Sequence, residues 1–211
     1  MIGRSTVLLD FGGILYGLDY DRMHRAFDAI GGWSRLVENG FRGISDAFET
    51  GALDPDGFRR EISHRLGRDV PTEALDSAWN SLLDGILPGA EDFVRGLSTR
   101  HRLALVSNTN AIHFAAFGPE CRELFAPFDR LFLSHELGAR KPEVGFYERV
   151  LSSLGARPED CVFVDDLAVN VEAARRLGIA AVRWSTNQGV AGLADAIEAA
   201  RSALVPALPP T

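Results

Sequence analysis

Short apolar runs that end in polar side chains recur along the chain and predict the strands of a buried sheet. Three of them end in a side chain that can bind a ligand: residues 7–9 precede Asp10, residues 103–106 precede Ser107, and residues 161–164 precede Asp165. Runs of this length, apolar on both faces, are typical of strands in a parallel sheet covered by helices. We therefore predict strands over residues 5–10, 102–107, 130–134, 161–165 and 179–183.

Helical patterns alternate with the last four of these strands, which indicates an α/β fold. Residues 142–154 predict a helix with Pro142 in its first turn and Gly155 at its end. Further helices are predicted over residues 88–99, after Asp166, and over 189–204, followed by a loose tail at 206–211. The expected architecture is a doubly wound, Rossmann-like parallel sheet of about five strands.

A segment of about ninety residues between Asp10 and the second strand carries helical patterns and no convincing strand. The patterns cover residues 20–30, 33–38, 43–49, 55–66 and 72–84, with glycines and prolines between them. Such a segment is too long for an ordinary connection. We predict a core domain from residues 1–16 and 86–205, into which a helical cap domain of residues 17–85 is inserted.

Composition narrows the class of protein. The chain has 211 residues, a net charge of −7 and a pI near 5.2, which argues against nucleic acid or an anionic membrane as the main partner. The apolar stretch before Asp10 is too short for a signal peptide, and no run is long enough for a membrane-spanning helix. Cys121 and Cys161 are the two cysteines, which favours a reduced, cytoplasmic protein. The oligomeric state is not indicated.

Carboxylates are expected to crowd one edge of the predicted sheet. If the strands are neighbours, Asp10, Asp165, Asp166 and Ser107 meet at the carboxyl ends, where open α/β sheets bind ligands. Two carboxylates about 5 Å apart repel by roughly 3 kcal/mol at an effective dielectric constant of about 20. A bound cation would offset this repulsion, and an all-oxygen site suits Mg²⁺.

Each of three further motifs can be interpreted either as part of a ligand-binding site or as a purely structural feature. Glycines 12 and 13 allow close backbone approach to a ligand after Asp10, or simply form a polar turn at a strand end. Ser107 and Asn108 could hydrogen-bond a phosphate oxygen, or could cap the next helix. Lys141, before Pro142, could hold an anion, or could be a solvated basic residue.

The order and spacing of these motifs resemble the haloacid dehalogenase (HAD) superfamily over nearly the whole chain. The sequences V-S-N-T-N, S-H-E-L-G-A-R-K-P-E and V-F-V-D-D-L-A-V-N carry the resemblance within residues 106–170. They are similar to bacterial α-glucose-1-phosphate phosphatases and to the N-terminal phosphatase domain of soluble epoxide hydrolases. The helical insertion resembles the C1 cap of subfamily I.

The resemblance implies a nucleophile and a metal site. Asp10 would attack phosphorus and form an aspartyl phosphate. Mg²⁺ would be held by Asp10, the backbone carbonyl of Gly12 and Asp166, with Asp165 close by through water. The implied activity is that of a Mg²⁺-dependent phosphatase.

The resemblance also implies how the substrate is held. Ser107 and Asn108 would bind the phosphoryl oxygens, and Lys141 would neutralise Asp10 and the transferring group. The expected substrate is a small phosphorylated metabolite, a sugar phosphate being favoured.

Gly12 departs from the family pattern. Phosphatases of the family usually carry an aspartate at this position as general acid and base, and losing a positioned proton donor typically costs about 10²–10⁴-fold in rate. Asp19, His24 and His113 are candidate replacements for this aspartate.

Two alternative functions remain open: metal-independent 2-haloacid dehalogenation, in which Asp10 attacks carbon, or phospho-ligand binding without turnover. The dehalogenase branch typically has tyrosine at the position of Gly12 and lacks the adjacent aspartate pair, so both features count against it.

Substrate specificity is expected to lie in the cap. Candidate contacts there are Arg22, His24, Arg25, Trp33, Arg42 and Trp79. The cap is expected to close over the site on hinges near residues 16–20 and 84–88.

Overall fold

A computed structural model describes residues 5–204 and contains a central parallel sheet of five strands. The strands of this sheet are β1 (Thr6–Leu9), β4 (Arg102–Ser107), β5 (Arg130–Leu133), β6 (Cys161–Asp165) and β7 (Ala180–Arg183). Their order across the sheet is β5-β4-β1-β6-β7, and every neighbouring pair is parallel. The prediction of an α/β, Rossmann-like fold is therefore confirmed.

Helices cover both faces of this sheet, which explains why its strands are apolar on both sides. Successive side chains of β1 point to opposite faces. Val7 and Leu9 belong to one hydrophobic cluster together with Val94, whereas Leu8 belongs to a second cluster together with Phe146. The core helices are α6 (Ala90–Ser98), α7 (Ala111–Phe117), α8 (Arg122–Phe125), α9 (Ser134–Leu137), α10 (Val144–Leu154), α11 (Ala168–Arg176) and α12 (Leu193–Leu204).

Residues 20–80 form a separate helical layer, called here the helical insertion. Its helices are α1 (Tyr20–Ile30), α2 (Trp33–Glu38), α3 (Phe41–Glu49), α4 (Pro55–Leu66) and α5 (Thr72–Asn80). Each helix is amphipathic, and together they enclose a third hydrophobic cluster, in which Phe27, Phe58 and Ile62 are fully buried. A packed core of its own is the property expected of a cap domain, and the division of the chain into two domains stays a prediction.

The expectation that no strand lies between Asp10 and residue 102 is wrong. Strands β2 (Tyr16–Leu18) and β3 (Leu83–Ile86) pair antiparallel at the two ends of the helical insertion. As a result, the helix predicted over residues 72–84 ends at Asn80. Strands of three and four residues that contain Gly17 and Gly85 carry too little alternation to be recognised from sequence. This ribbon occupies the region where hinges were predicted.

Other boundaries differ from the prediction by a few residues. The helix predicted from Pro142 begins at Val144, after a cis peptide bond between Lys141 and Pro142. The last helix begins at Leu193 rather than at residue 189. The tail predicted at 206–211 lies outside the described residues. Among the helices of residues 5–204, none has the length and apolar character required to cross a bilayer.

Candidate active site

The parallel register of the central strands brings the polar residues that follow them to one edge of the sheet. Leu9 is paired with Leu105 on one side and with Val164 on the other. Asp10, one residue further along, donates its backbone N–H to the carbonyl oxygen of Val164 at 3.0 Å. Asp10, Ser107 and Asp165 therefore lie at the carboxyl ends of three adjacent strands, as the sequence predicted.

Three carboxylates converge at this edge. Asp10, Asp165 and Asp166 each offer an oxygen atom, and these oxygens all lie within 4.8 Å of one another. Asp165 is fully buried, Asp10 is 7% exposed, and Asp166 is half-buried. Negative charge is thus concentrated where water can solvate it only poorly.

Lys141 is the cation in direct contact with this cluster. Its Nζ lies 2.7 Å from Oδ1 of Asp10, 2.7 Å from Oδ2 of Asp165, and 2.8 Å from the carbonyl oxygen of Val106. An ammonium group has three N–H donors, so these contacts use all of them. Burial disfavours the charged ammonium, yet the two carboxylates raise the pKa of Lys141 above its ordinary value.

One lysine does not balance three carboxylates. The pKa of Asp10 is raised chiefly by burial, with Asp165 and Asp166 adding to the effect and Lys141 opposing it. The pKa of Asp166 is also raised, by burial and by Asp165. Burial is the largest cause of both shifts, and the neighbouring carboxylates add a repulsion that a divalent cation would relieve. A compact set of carboxylate oxygens is the donor set that Mg²⁺ prefers, so these residues fit the predicted ion.

Asp165 is held in place by several protein donors. Its Oδ1 accepts hydrogen bonds from the backbone N–H of Leu167 and from Nδ2 of Asn170, both at 2.9 Å. Its Oδ2 contacts Nδ2 of Asn170 at 3.1 Å in addition to Lys141. Asn170 was not assigned to the site from sequence, although its spacing after the aspartate pair was part of the motif. Asp165 therefore orients Lys141, whereas Asp166 has the more accessible carboxylate.

The side chain of Asn108 is bound to the backbone of Lys141. Its Nδ2 donates to the carbonyl oxygen of Lys141 at 2.8 Å, and its Oδ1 accepts from the backbone N–H of Lys141 at 2.9 Å. Binding of a phosphoryl oxygen by Asn108 stays a prediction. The amide thus fixes the backbone that carries the lysine. Ser107 is 2% exposed and lines a cavity at the same edge of the sheet.

This cavity, of about 550 Å³, lies between the carboxyl edge of the sheet and the helical insertion. Gly12, Ser107 and Asn108 line its floor, and the insertion forms its opposite wall. Four of the six predicted cap contacts line this cavity, namely His24, Trp33, Arg42 and Trp79.

Arg22 and Arg25 are not among the residues that line the cavity. The guanidinium of Arg22 instead supports the ribbon between the two parts of the chain. It donates to the carbonyl oxygens of Ser81 and Leu83, each at 2.6 Å, and forms an ion pair with Asp84 at 2.9 Å.

Gly12 lies against the side chain of Leu18. A Cβ atom at this position would lie 2.8 Å from Cδ1 of Leu18 in strand β2. Real Cβ atoms do not approach so closely, so a side chain at residue 12 would require Leu18 to move. Because Cδ1 is the far end of a flexible side chain, such a shift costs little, and the contact does not by itself exclude the family's usual aspartate.

The predicted replacements for that aspartate have other contacts. Asp19 caps helix α1 by accepting from the backbone N–H of Arg22 at 2.8 Å. His24 stacks on Trp33 with ring centroids 4.2 Å apart. Both nitrogens of His113 have partners within the protein.

Glu49 and Arg140 line the cavity near Lys141 and were missed from the sequence. Nη2 of Arg140 lies 2.9 Å from Oε2 of Glu49, and Nη1 of Arg140 contacts Oδ1 of Asp46. Burial raises the pKa of Glu49 to about 7, with Lys141 opposing the shift. Nothing in the local sequence distinguishes Glu49 from an ordinary glutamate at the end of a helix. Arg140 could have been suspected from its place beside Lys141.

His113 joins the core to the helical insertion. Its Nδ1 lies 3.1 Å from Nδ2 of Asn110, and its Nε2 lies 3.1 Å from the carbonyl oxygen of Trp79. Because the amide nitrogen can only donate and the carbonyl can only accept, His113 is neutral and carries its proton on Nε2. Its ring stacks on Trp79 with centroids 4.6 Å apart.

Acid is expected to weaken this junction. Burial lowers the pKa of His113 to about 4, whereas an unfolded histidine titrates near 6.5. The unfolded chain therefore binds this proton first, so the free energy of unfolding should fall as the pH drops from about 6.5 to about 4, by up to roughly 3 kcal/mol from this residue. Urea unfolding at several pH values measures the change. His113→Gln should flatten the slope, while His64→Gln at an exposed position should not; equal slopes in wild type and His113→Gln would contradict the assignment.

Comparison with known proteins agrees with this geometry. The chain is 28% identical over 182 residues to a D-ribitol-5-phosphate phosphatase of Bacteroides thetaiotaomicron, covering 82% of this chain and 88% of that protein. It is 27% identical over 140 residues to a sesquiterpene phosphatase of Aspergillus oryzae, covering 64% and 68%. A HAD family enzyme of Bacteroides thetaiotaomicron, solved with magnesium and inorganic phosphate, superimposes with a TM-score of 0.82 at 29% identity over 90% of this chain and 99% of that one.

The family itself is shown by a match that spans most of the chain. The sequence profile of the haloacid dehalogenase-like hydrolases aligns with residues 5–178. This range includes all of the predicted motifs, from Asp10 through Lys141 to Asp166. The resemblance inferred from those motifs is thus confirmed, and the chain belongs to the haloacid dehalogenase-like hydrolases.

Proposed function

We propose that this hydrolase is a Mg²⁺-dependent phosphatase that acts on a small phosphorylated metabolite through an aspartyl phosphate on Asp10. The observation that carries the proposal is the position of the Asp10 carboxylate. It is bound to Lys141 at 2.7 Å and lies within 4.8 Å of two further carboxylates, beside a cavity large enough for a small organic molecule. The phosphatase names of two relatives support the same reaction.

The reaction divides into two displacements at phosphorus. In the first, an oxygen of Asp10 forms a bond to phosphorus, the ester P–O bond breaks, and the departing alkoxide takes up a proton from solvent water to leave as the alcohol. In the second, water attacks phosphorus and loses a proton to solvent, the bond between phosphorus and Asp10 breaks, and phosphate leaves. Lys141 holds Asp10 in position, since its ammonium and the backbone N–H of Phe11 both bind Oδ1 of Asp10.

The remaining residues are proposed to bind the ion and the phosphoryl group. Asp10, Asp166 and the carbonyl of Gly12 would hold Mg²⁺, with Asp165 beside it. When bound, the ion supplies positive charge that neutralises phosphoryl oxygens. Ser107 is proposed to donate to a phosphoryl oxygen. For Asn108, whose side chain binds the backbone of Lys141, the backbone N–H is the group proposed to do so.

The class of alcohol is left open by the relatives. The sequence favoured a sugar phosphate, and the name of the ribitol-5-phosphate phosphatase supports a polyol. The name of the sesquiterpene phosphatase points instead to an apolar skeleton. The cytoplasm is proposed as the location, because Cys121 and Cys161 are buried free thiols.

The two alternative functions are less well supported. Dehalogenation by Asp10 without a metal gives no role to Asp166, whose carboxylate lies within 4.8 Å of those of Asp10 and Asp165. Binding without turnover is suggested by Gly12 alone, and the phosphatase names of two relatives favour turnover instead.

Phosphate release from a panel of phosphate monoesters, with Mg²⁺ and with EDTA, tests the proposal. We expect phosphate release with Mg²⁺ and a rate at least about 10²-fold lower with EDTA, because Lys141 alone does not neutralise the three carboxylates of the site. Restoring Mg²⁺ in excess should restore the rate. Equal rates under both conditions would refute the metal role, and halide release from a 2-haloacid in EDTA would favour the dehalogenase.

A further inference from the structure

A continuous series of aromatic rings, four from the helical insertion and one from core helix α7, lines one wall of the cavity. His24 stacks on Trp33 at 4.2 Å between centroids, and Phe41 meets Trp33 edge-on at 4.8 Å. Phe41 also meets Trp79 at 5.8 Å, and Trp79 stacks on His113 at 4.6 Å. All five side chains line the cavity.

The polar atoms at one end of this wall already have partners within the protein. Nε1 of Trp79 donates to Oδ1 of Asn110 at 3.2 Å. Both nitrogens of His113 are bound, one by Asn110 and the other by the carbonyl of Trp79. Trp79 and His113 are almost fully buried and stack on each other, so they support the wall and offer a ligand no free polar atom. A hydroxyl group placed against them would lose its hydrogen bonds to water without gaining replacements.

The acidic and basic side chains of the cavity lie close to one another. Arg140 contacts Asp46 and lies 2.9 Å from Glu49, while Nε of Arg140 and Oε2 of Glu49 have no hydrogen-bond partner among the described residues. Arg42 is largely exposed and lies 4.0 Å from Asp46. A hydrocarbon packed against the rings of the wall would leave the ion pairs of Arg140 intact.

The apolar surface continues to the reaction centre. Leu18, whose Cδ1 would lie 2.8 Å from a Cβ at Gly12, packs against both the core cluster and the cluster of the insertion. Phe11, next to the nucleophile, and Met23 also line the cavity. A leaving group attached to phosphorus at Asp10 would therefore meet apolar side chains as soon as it extends from the phosphate.

We infer that the substrate is the phosphate monoester of a hydrophobic alcohol, whose hydrocarbon skeleton packs on the aromatic wall. This inference rests on the phosphatase activity proposed above and specifies its substrate. The cavity volume of about 550 Å³ falls within the range of roughly 300–1,000 Å³ that holds small organic ligands. Trp33 lies between His24 and Phe41 in this wall, so its loss should disturb the contact.

A series of 4-alkylphenyl phosphates provides the test, because the alkyl group changes apolar size while barely altering the reactivity of the phenol as a leaving group. We expect kcat/KM to rise by about two- to fourfold for each methylene from methyl to butyl, the gain for burying one such group. The 4-ethyl and 4-hydroxymethyl compounds have the same number of heavy atoms. The kcat/KM of the ethyl compound should be about tenfold higher, because the hydroxyl group of the other compound loses its hydrogen bonds to water on binding.

Two variants and a binding measurement locate the effect. Trp33→Ala should reduce the rise in kcat/KM for each added methylene. Trp184 is not among the residues that line the cavity, so Trp184→Phe should retain that rise. In Asp10→Asn, which is expected to bind without turnover, 4-butylphenyl phosphate should quench tryptophan fluorescence at lower concentration than phenyl phosphate. Addition of Trp33→Ala to that variant should remove the difference.

Acetyl phosphate and two sugar phosphates are assayed beside the alkyl series. They distinguish failure of the substrate inference from failure of the proposed phosphatase activity. If these are hydrolysed through Asp10 while the alkyl series is flat, or the hydroxymethyl compound is preferred, the inference of a hydrophobic alcohol is overturned and the phosphatase proposal stands. If no phosphate ester in the panel is hydrolysed in an Asp10-dependent manner, the phosphatase proposal fails and the substrate inference fails with it.

Discussion

Replacing Asp10 with asparagine is expected to reduce phosphate release by at least about 10³-fold, with the folded structure intact. The amide cannot form the bond to phosphorus, and loss of a nucleophile removes covalent catalysis altogether. The amide oxygen of the new side chain can still accept from the backbone N–H of Phe11 and from Lys141, the two contacts that Oδ1 of Asp10 makes. The effect is therefore expected in kcat rather than in the fold. Steady-state phosphate release at saturating Mg²⁺ measures it.

Stability measurements separate lost chemistry from lost structure. Because burial and two neighbouring carboxylates raise the pKa of Asp10, its charge is unfavourable in the folded protein without metal, and the neutral variant should unfold at an equal or higher urea concentration. Mg²⁺ should then stabilise the variant less than it stabilises wild type. Asp92→Asn, at an exposed ion pair with Arg95, is the matched control and should retain full turnover. Comparable turnover by Asp10→Asn and wild type would exclude Asp10 as the nucleophile.

The parallel sheet and its reactive edge were predictable because they depend on local sequence. Short apolar runs specify buried strands, and the carboxyl ends of parallel strands meet at one edge. Asp10, Ser107 and Asp165 follow three such runs, so their meeting required only that the strands be neighbours. Lys141 lies outside a strand. Its position before Pro142 indicated a possible anion-binding lysine, whereas its role beside Asp10 was implied only by the resemblance to the family.

Contacts that depend on the relative placement of distant segments were not predictable. Asn108 binds the backbone of a residue 33 positions away, and an amide side chain carries no sign of which partner it will take. Glu49 approaches Arg140 only because the helical insertion packs over the sheet edge. The ribbon between Tyr16–Leu18 and Leu83–Ile86 is too short to show periodicity. The ribbon and these contacts place the helical insertion over the active site. The residues that line the cavity could therefore be identified only from the three-dimensional structure.

Replacing Lys141 with methionine is expected to affect both stability and turnover. Methionine has a similar length without the charge, so the variant leaves Asp10 and Asp165 beside one another with no counter-charge. Removing one partner of a buried ion pair typically costs about 3–5 kcal/mol of unfolding free energy, and Lys141 is 1% exposed with all three donors bonded. Turnover should fall by at least about 10²-fold. Urea unfolding and phosphate release measure the two effects.

A second substitution distinguishes the lost charge from lost packing. Asp165→Asn keeps an Oδ1 for the donors of Leu167 and Asn170, which both bind Oδ1 of Asp165 in the wild type. In the double variant with Lys141→Met, one of the two buried carboxylates that lacked a counter-charge is gone, and Asp10 remains. The unfolding free energy should therefore recover by about 1–3 kcal/mol relative to Lys141→Met alone, a coupling expected for residues in direct contact. Turnover should not recover, because Asp10 still lacks the ammonium group that binds its Oδ1. Additive losses of stability in the double variant would show that Lys141 acts through packing. Recovered turnover would show that Asp10 does not depend on Lys141, and would remove that lysine from the proposed mechanism.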